Sequence, residues 1–348
     1  MMRAGLSILY VGATDGTGLH RAEALRRLGH GVVHVSPYGG LPDYWALWLR
    51  HAGGLGLDFM ARRILVRQIG DRRIFDLALV DCGDVVGPAS LALIRSRAAV
   101  IGNYNADNPY RSPSAEGRRW ALFRRVAGQY DLSVTPRRAH VEQEMRALGV
   151  TNPMLVWQCA DEVTHRPVVS GPEWASGIAF VGTWMPGRGA FLAALIDLGL
   201  PITIYGARWH KAPEYKRLAP AIRAGHLHGD DYARAISGAK VALVLLNEAN
   251  DDLHTSRSVE IPAIGTAMCA PRTAHHQQLY AENEEAVFFS SVEECATQCR
   301  LLLADQLLRE RIARDGQRRF VANRTSNEVL MGQIIERLAA LRDATRVG

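Results

Sequence analysis

Phe180-Val181-Gly182-Thr183-Trp184-Met185-Pro186-Gly187-Arg188-Gly189 passes from an apolar strand through a glycine turn to the start of a helix. An arginine at a helix start sits beside backbone N–H groups that have no intrahelical acceptor, a setting that favours an anion. Moving outward, the same alternation repeats. Strand-like runs at Ile178–Val181, Ile202–Tyr205, Val241–Leu246, Thr266–Ala270 and Ala286–Phe289 are separated by helical patterns at Gly189–Leu198, Asp230–Ser237, Thr255–Ile264, Val292–Leu303 and Gln306–Phe320. Strands alternating with amphipathic helices predict an α/β architecture with a parallel sheet covered on both faces.

The N-terminal half shows a second series. Strands are expected at Ser7–Val11, Gly31–Val35, Asp76–Val80, Ala99–Gly102, Leu132–Thr135 and Met154–Trp157, with helices such as His20–Leu28, Arg118–Ala127 and Ala139–Leu148 between them. Right-handed crossovers make each half Rossmann-like. Asp161–Ser176 lacks periodicity and contains Pro167, Gly171 and Pro172, so it reads as a linker. The expected organisation is an N-terminal domain over 1–165, a C-terminal domain over 176–323, and a closing helix over 324–348 that crosses back. Two such halves face each other across a cleft, with ligands beyond the carboxyl ends of the strands. Tyr44–Phe75 is less regular and carries tryptophans, other apolar residues and arginines. It reads as core packing or as an amphipathic segment that meets an acceptor or a membrane.

Composition narrows the class. The chain has 348 residues, 22% of them charged, and a net charge of +6. That excess suits anionic ligands and peripheral contact with an anionic membrane. No nucleic-acid-binding module is present, and no apolar run nears the ~18 residues that span a bilayer. The first apolar stretch runs into a glycine turn rather than a cleavage site, so it reads as a strand of a cytoplasmic protein. The five cysteines, an odd number at irregular spacing, read as buried free thiols rather than a disulfide framework.

Several residues are candidates for chemistry. In Val11–Gly18, Gly12, Gly16 and Gly18 let the backbone approach a ligand. This spacing resembles short-chain dehydrogenases as well as glycosyltransferases. A bound NAD would need an acidic residue at the end of the second strand, where Val35-Ser36-Pro37 stands, and no tyrosine has a lysine four positions later. Asp107, in Asn103–Tyr110 after a strand, is a candidate general base toward an acceptor hydroxyl, with Asp15 and His20 as further candidates. Arg188 with its helix start makes a diphosphate site. Asn247, Asp252, Thr255, Arg257 and Glu260 follow an apolar strand and open a helix. Glu260 lies in a largely apolar stretch, where a carboxylate needs a partner and a ribose diol would serve. Arg257 either pairs with Glu260 or faces phosphates. No metal site is expected: Asp251-Asp252 reads as loop and helix start, and His226, His228, His275 and His276 as surface or core histidines.

Together these residues resemble the CgeB-type, or spore-maturation-protein-like, glycosyltransferases, relatives of the family-four enzymes with the GT-B fold. The likeness covers about 130–320. It rests on Phe180–Arg188, on Ile204-Tyr205-Gly206 with Trp209, on Thr255, Arg257 and Glu260–Gly265 as Thr-x-Arg-x-x-Glu-Ile-x-Ala-x-Gly, and on Ile312–Gly316. The resemblance implies a GT-B glycosyltransferase with a nucleoside-diphosphate sugar as donor, UDP-linked by analogy, and with retaining chemistry slightly favoured. It implies donor contacts from Gly16, Gly182, Thr183, Trp184, Arg188, Tyr205, Gly206, Asn247, Asp252, Thr255, Arg257 and Glu260, and no tightly bound cofactor. Thr183 stands where family-four enzymes place a phosphate-binding arginine, a charge that Arg257 supplies. The acceptor class (saccharide, natural product, lipid-linked molecule or protein) is left open. Two other readings are a sugar-nucleotide-binding protein without turnover and an NAD-dependent oxidoreductase.

Overall fold

The computed structural model describes residues 5–70, 74–111, 118–137, 141–247 and 250–347, with the backbone alone for Ala224 and 345–347. Ala139 and His140 of one expected helix, and Glu248 and Ala249 beside the candidate site, lie outside the described residues. The chain divides into two compact units, one formed by Met1–Trp157 with Asn327–Gly348 and the other by Gln158–Ser326.

In the first unit, β1 (Ser7–Val11), β2 (Gly31–Val35), β3 (Leu77–Asp81), β4 (Ile101–Tyr104), β5 (Leu132–Thr135) and β6 (Pro153–Leu155) form a parallel sheet in the order β2-β1-β3-β4-β5-β6. Its helices are α1 (Gly16–Arg27), α2 (Trp45–Ala52), α3 (Leu57–Ile69), α4 (Pro88–Arg95), the single turn α5 (Ala121–Arg124) and α6 (Val141–Ala147). The central strands are buried on both faces, so Leu9, Val11, Ala78, Val80 and Ile101 form one core with Phe123 and Met145. The long helix expected over Arg118–Ala127 shortens to α5. Phe123 packs against Tyr110, Trp120 and Tyr130 with ring centroids 5.6–6.1 Å apart, and Val126 and Ala127 are buried as well. That demand for burial in several directions overrides one continuous helical face. The irregular Tyr44–Phe75 stretch contains α2 and α3, joined by a turn with Gly53, Gly54 and Gly56 all at positive φ.

In the second unit, β7 (Ser176–Val181), β8 (Ile202–Tyr205), β9 (Ile222–Ala224), β10 (Ala239–Leu243), β11 (Ala267–Pro271) and β12 (Val287–Phe289) form a parallel sheet in the order β12-β11-β10-β7-β8-β9. Around it lie α7 (Arg188–Asp197), the single turn α8 (Tyr215–Leu218), α9 (Gly229–Ser237), α10 (Arg257–Ile264), α11 (Ala274–Leu279), α12 (Val292–Ala304) and α13 (Gln306–Asn323). β10 ends three residues earlier than expected, because the chain leaves the ladder after Val244 donates to the Cys269 carbonyl. Asp161–Ser176, expected as a linker, belongs to this unit. Asp161 is buried and accepts from the backbone N–H groups of Val163 and Thr164, and the His165 ring packs edge-on against Tyr232.

The last helix, α14 (Asn327–Val347), returns to the first unit. Glu328 pairs with Arg27 at 2.6 Å and Arg342 with Asp76 at 2.9 Å. A Cβ added at Gly102 of β4 would lie 2.9 Å from a Leu338 methyl, so this glycine makes room for the helix. Among the described residues no helix is long and apolar enough to cross a membrane. Leu338 is fully buried, and Leu338→Ala should lower stability by about 2–5 kcal/mol in urea unfolding; a change below about 1 kcal/mol would mean that α14 does not carry the first unit.

Candidate functional site

The second sheet reverses its winding between β7 and β10, its first and fourth strands. Such a switch point leaves a crevice beyond the carboxyl ends of the strands. A cavity of about 380 Å³ lies there, walled by Pro186–Arg188 after β7, Leu245 and Leu246 after β10, Arg272 after β11 and Ser290 after β12. Phe191, Asp252, Pro271 and Phe289 line it as well.

Arg188, the first residue of α7, is only 6% exposed. Its guanidinium donates to the carbonyls of Thr183 at 2.9 Å and Leu245 at 3.0 Å, bridging the turn after β7 to the end of β10. It lies 5.6 Å from the centre of the Phe180 ring. Its Nε has no hydrogen-bond partner among the described residues. Burial and the nearby Arg257 push its pKa down to about 10, and Asp252 opposes them. Arg257 is fixed from the other side, its Nε donating to the Val181 carbonyl at the end of β7. Two cations thus lie close together in a partly buried space, with Asp252 acting on Arg188. Arg272 differs: Glu282 and Glu294 both bind it, at 2.6 and 2.5 Å, so its charge is already balanced.

The turn itself is shaped by close backbone approach. Gly206 has φ +138°, and a Cβ there would stand 2.1 Å from the Gly182 carbonyl. That carbonyl also accepts from the Trp209 indole at 3.0 Å, and Gly182 N–H donates to Tyr205 at 2.8 Å. Trp184 N–H donates to the Ala207 carbonyl. Thr183 is half-buried and offers its carbonyl to Arg188. Asn247 N–H donates to the Asp252 carboxylate, and the Thr255 hydroxyl accepts from Arg257 N–H. The structure therefore brings Thr183, Arg188, Asn247, Asp252, Thr255 and Arg257 together around one turn.

Tyr205 and Glu260 are held by partners within the protein. Tyr205 is buried against Trp174 and does not wall the cavity. Glu260 is also buried; its carboxylate accepts from the Tyr232 hydroxyl and faces His165 Nε2 at 3.8 Å. Burial raises its pKa, but His165, Arg257 and Tyr232 outweigh that and hold it below the usual glutamate value. Tyr232 occupies part of the accepting capacity of the Glu260 carboxylate, and Arg257 hydrogen-bonds the β7 carbonyl while its charge also acts on Glu260.

Residues 188–336 match a family model described as glycosyl transferase-like. Comparison with curated protein sequences finds no match. Among solved structures, sucrose-phosphate synthase from Thermosynechococcus elongatus superposes with a TM-score of 0.69, at 14% identity, over 97% of this chain and 100% of its own. Anabaena HepE, solved in complex with UDP-glucose, gives 0.66 at 12% identity over 96% and 100%. The α,α-trehalose 6-phosphate synthase from Burkholderia multivorans gives 0.62 at 11% identity over 99% and 98%. The fold is GT-B.

In the first half of this GT-B chain, the switch point falls between β1 and β3. Gly16, with φ +50°, opens α1, and Asp15 is exposed at its start. His20 is half-buried on α1. Asp107 lies after β4 and pairs with Arg119 at 3.2 Å. Sequence reasoning missed two clusters here. Asp81, at the end of β3, accepts from Arg21 Nε at 2.9 Å and from the Tyr10 hydroxyl, all three buried. Asp84, also buried, accepts from Tyr38 at 2.8 Å and Arg119 at 3.4 Å, and its burial raises its pKa. Between them Cys82 takes φ +68°, a strained conformation for a residue with a side chain.

A third missed cluster is Cys269, Cys295 and Cys299, whose sulfurs lie within 4.8 Å of one another. Only the Cys295/Cys299 spacing was legible, since Cys269 arrives from β11. All three sit in the apolar core with no exposure.

Beside the cavity, α10 is locked to α11 through histidine. His276 Nδ1 faces the Pro271 carbonyl at 2.6 Å, so Nδ1 holds the proton, and Nε2 meets Ser258 Oγ at 2.8 Å. Burial lowers the His276 pKa to about 4. Above pH 6.5 the ring is neutral whether folded or unfolded. As pH falls below 6.5 the unfolded chain takes up the proton first, so this contribution to stability is lost between about pH 6.5 and pH 4. Between pH 7 and pH 5 the expected loss is about 2 kcal/mol. An NMR titration should leave the His276 imidazole neutral down to about pH 4; a midpoint near 6.5 would contradict the assignment.

Proposed function

We propose that this chain is a glycosyltransferase of the CgeB type that moves a sugar from a UDP-sugar to an acceptor hydroxyl. The observation that carries the reading is Arg188: a buried guanidinium with an unused Nε, next to Arg257, in a cavity at the sheet's switch point. A diphosphate completes this charge set. It would accept from the Nη N–H groups of Arg188 that the two carbonyls leave free, from Arg257 and from the first-turn N–H groups of α7. The complex printed for HepE, with UDP-glucose, is the analogy for uridine. The second unit then holds the donor and the first unit presents the acceptor.

In the transfer, the bond between the anomeric carbon and the diphosphate oxygen breaks and a bond to the acceptor oxygen forms. The leaving diphosphate gains negative charge, which the fixed arginines and helix terminus stabilise without rearranging. The acceptor's proton passes to a group of the first unit, for which Asp107, Asp15 and His20 are the candidates. Positive charge for the leaving group comes from side chains, so the proposal invokes neither metal nor tightly bound cofactor. Retention at the anomeric carbon is the outcome favoured by the likeness to family-four enzymes, with a cytoplasmic site of action.

Release of UDP from a panel of UDP-sugars, with and without candidate acceptors, tests the reading. Arg188→Ala should weaken donor binding about 10- to 100-fold, the usual worth of lost charged hydrogen bonds. A folded Arg188→Ala protein with unchanged donor affinity would contradict the assignment. Binding without any turnover would favour a sugar-nucleotide-binding protein.

A further inference from the structure

The pair α2 and α3 in the first unit presents a face that folding does not use. The inner sides of the two helices bury Leu49, Leu57, Ala61 and Leu65 in a small core. Their outer sides leave Leu47 at 61%, Leu55 at 79% and Phe59 at 67% exposure. Leu55 sits in the glycine turn between the helices and Phe59 in the first turn of α3. Single exposed apolar residues need no explanation, but three on neighbouring turns do.

The charges on this face are one-sided. Phe59, Arg62, Arg63 and Arg67 follow helical spacing along the exposed side of α3, and Arg50 and His51 accompany Leu47 on α2. Between Tyr44 and Gly70 the one acidic residue is Asp58. Asp58 is buried and already accepts from the N–H groups of Gly87, Ala89 and Ser90 at 2.8–3.0 Å. None of Arg50, Arg62, Arg63 and Arg67 forms an ion pair among the described residues. Next to the turn, a cavity of about 620 Å³ lies between Leu55 and Phe59 on one side and Arg118 and Arg125 on the other. Apolar side chains ringed by unpaired guanidiniums match a bilayer surface, with acyl chains under anionic headgroups. Two copies of this chain meeting here would instead oppose arginine to arginine.

We infer that the outer face of α2 and α3 docks on an anionic phospholipid membrane, with Leu47, Leu55 and Phe59 entering the interface and the arginines of α2 and α3 contacting phosphate headgroups. This surface and the cavity beside Arg188 have no residue in common, and the inference does not depend on the activity proposed above.

The test is sedimentation of the full chain with vesicles of phosphatidylcholine alone or mixed with phosphatidylglycerol, at low and high salt. Binding is expected on the mixed vesicles, at least tenfold above phosphatidylcholine alone, and weaker at high salt. Arg62→Gln and Arg63→Gln should each lower partitioning roughly fivefold. Phe59→Ser and Leu55→Ser should each lower it roughly tenfold. These positions are exposed, so circular dichroism and UDP titration should match wild type. Equal partitioning onto both vesicle types, or variants that partition like wild type, would overturn the inference. So would a lipid-free dimer that Phe59→Ser converts to monomer, which would assign the face to a second copy. UDP titration reports on the cavity independently, so failure of one proposal is not mistaken for failure of the other.

Discussion

A buried guanidinium must be held, and the way Arg188 is held organises the second unit. Its two hydrogen bonds go to carbonyls of Thr183 and Leu245, which follow β7 and β10. Neutral carbonyls orient the cation without cancelling its charge, so burial remains a cost that an anionic ligand can offset. The switch in strand order makes this possible, because only there do two adjacent strand ends turn apart and open a crevice. The close contact of Gly206 with Gly182 fixes the turn, and Arg257 on the Val181 carbonyl brings a second cation to the same place.

The first unit resolves a similar problem in the opposite way. Arg21 is also buried at a switch point, yet Asp81 takes both its Nε and an Nη nitrogen, and Arg21 stacks 4.4 Å from the Tyr104 ring. That ion pair is complete and leaves no charge for a ligand. Open polar chemistry in this unit instead lies further along, where Asp107 is half-exposed beside Arg119 and Asp84 is buried under Tyr38.

Much of the fold was legible from local pattern. β1, β5 and β8 fall on the residues expected from apolar runs and turn signals, because parallel strands buried on both faces have little freedom in composition, and the edge strand β2 falls on its expected residues as well. Arg188 and Arg257 were legible for a related reason: a helix start after a strand has one geometry. What was not legible depends on distance in sequence. Nothing near Glu260 announces that Tyr232 and His165 will meet it. Arg21 reads as an ordinary helical arginine until Asp81, sixty residues on, closes over it. β9 has only three residues and no periodicity to detect. The paired helices α2 and α3 were hidden by their mixed surface, whose apolar and basic residues obscure the inner stripe formed by Leu49, Leu57, Ala61 and Leu65.

The central claim is that the cavity beside Arg188 takes the diphosphate of a nucleotide sugar. Calorimetric titration of the protein with UDP, GDP, dTDP and NAD tests it most directly. The account predicts that one nucleoside diphosphate, UDP first, binds at a single site with a favourable enthalpy from charged hydrogen bonds. Binding of NAD alone, or of none of the four, would contradict it.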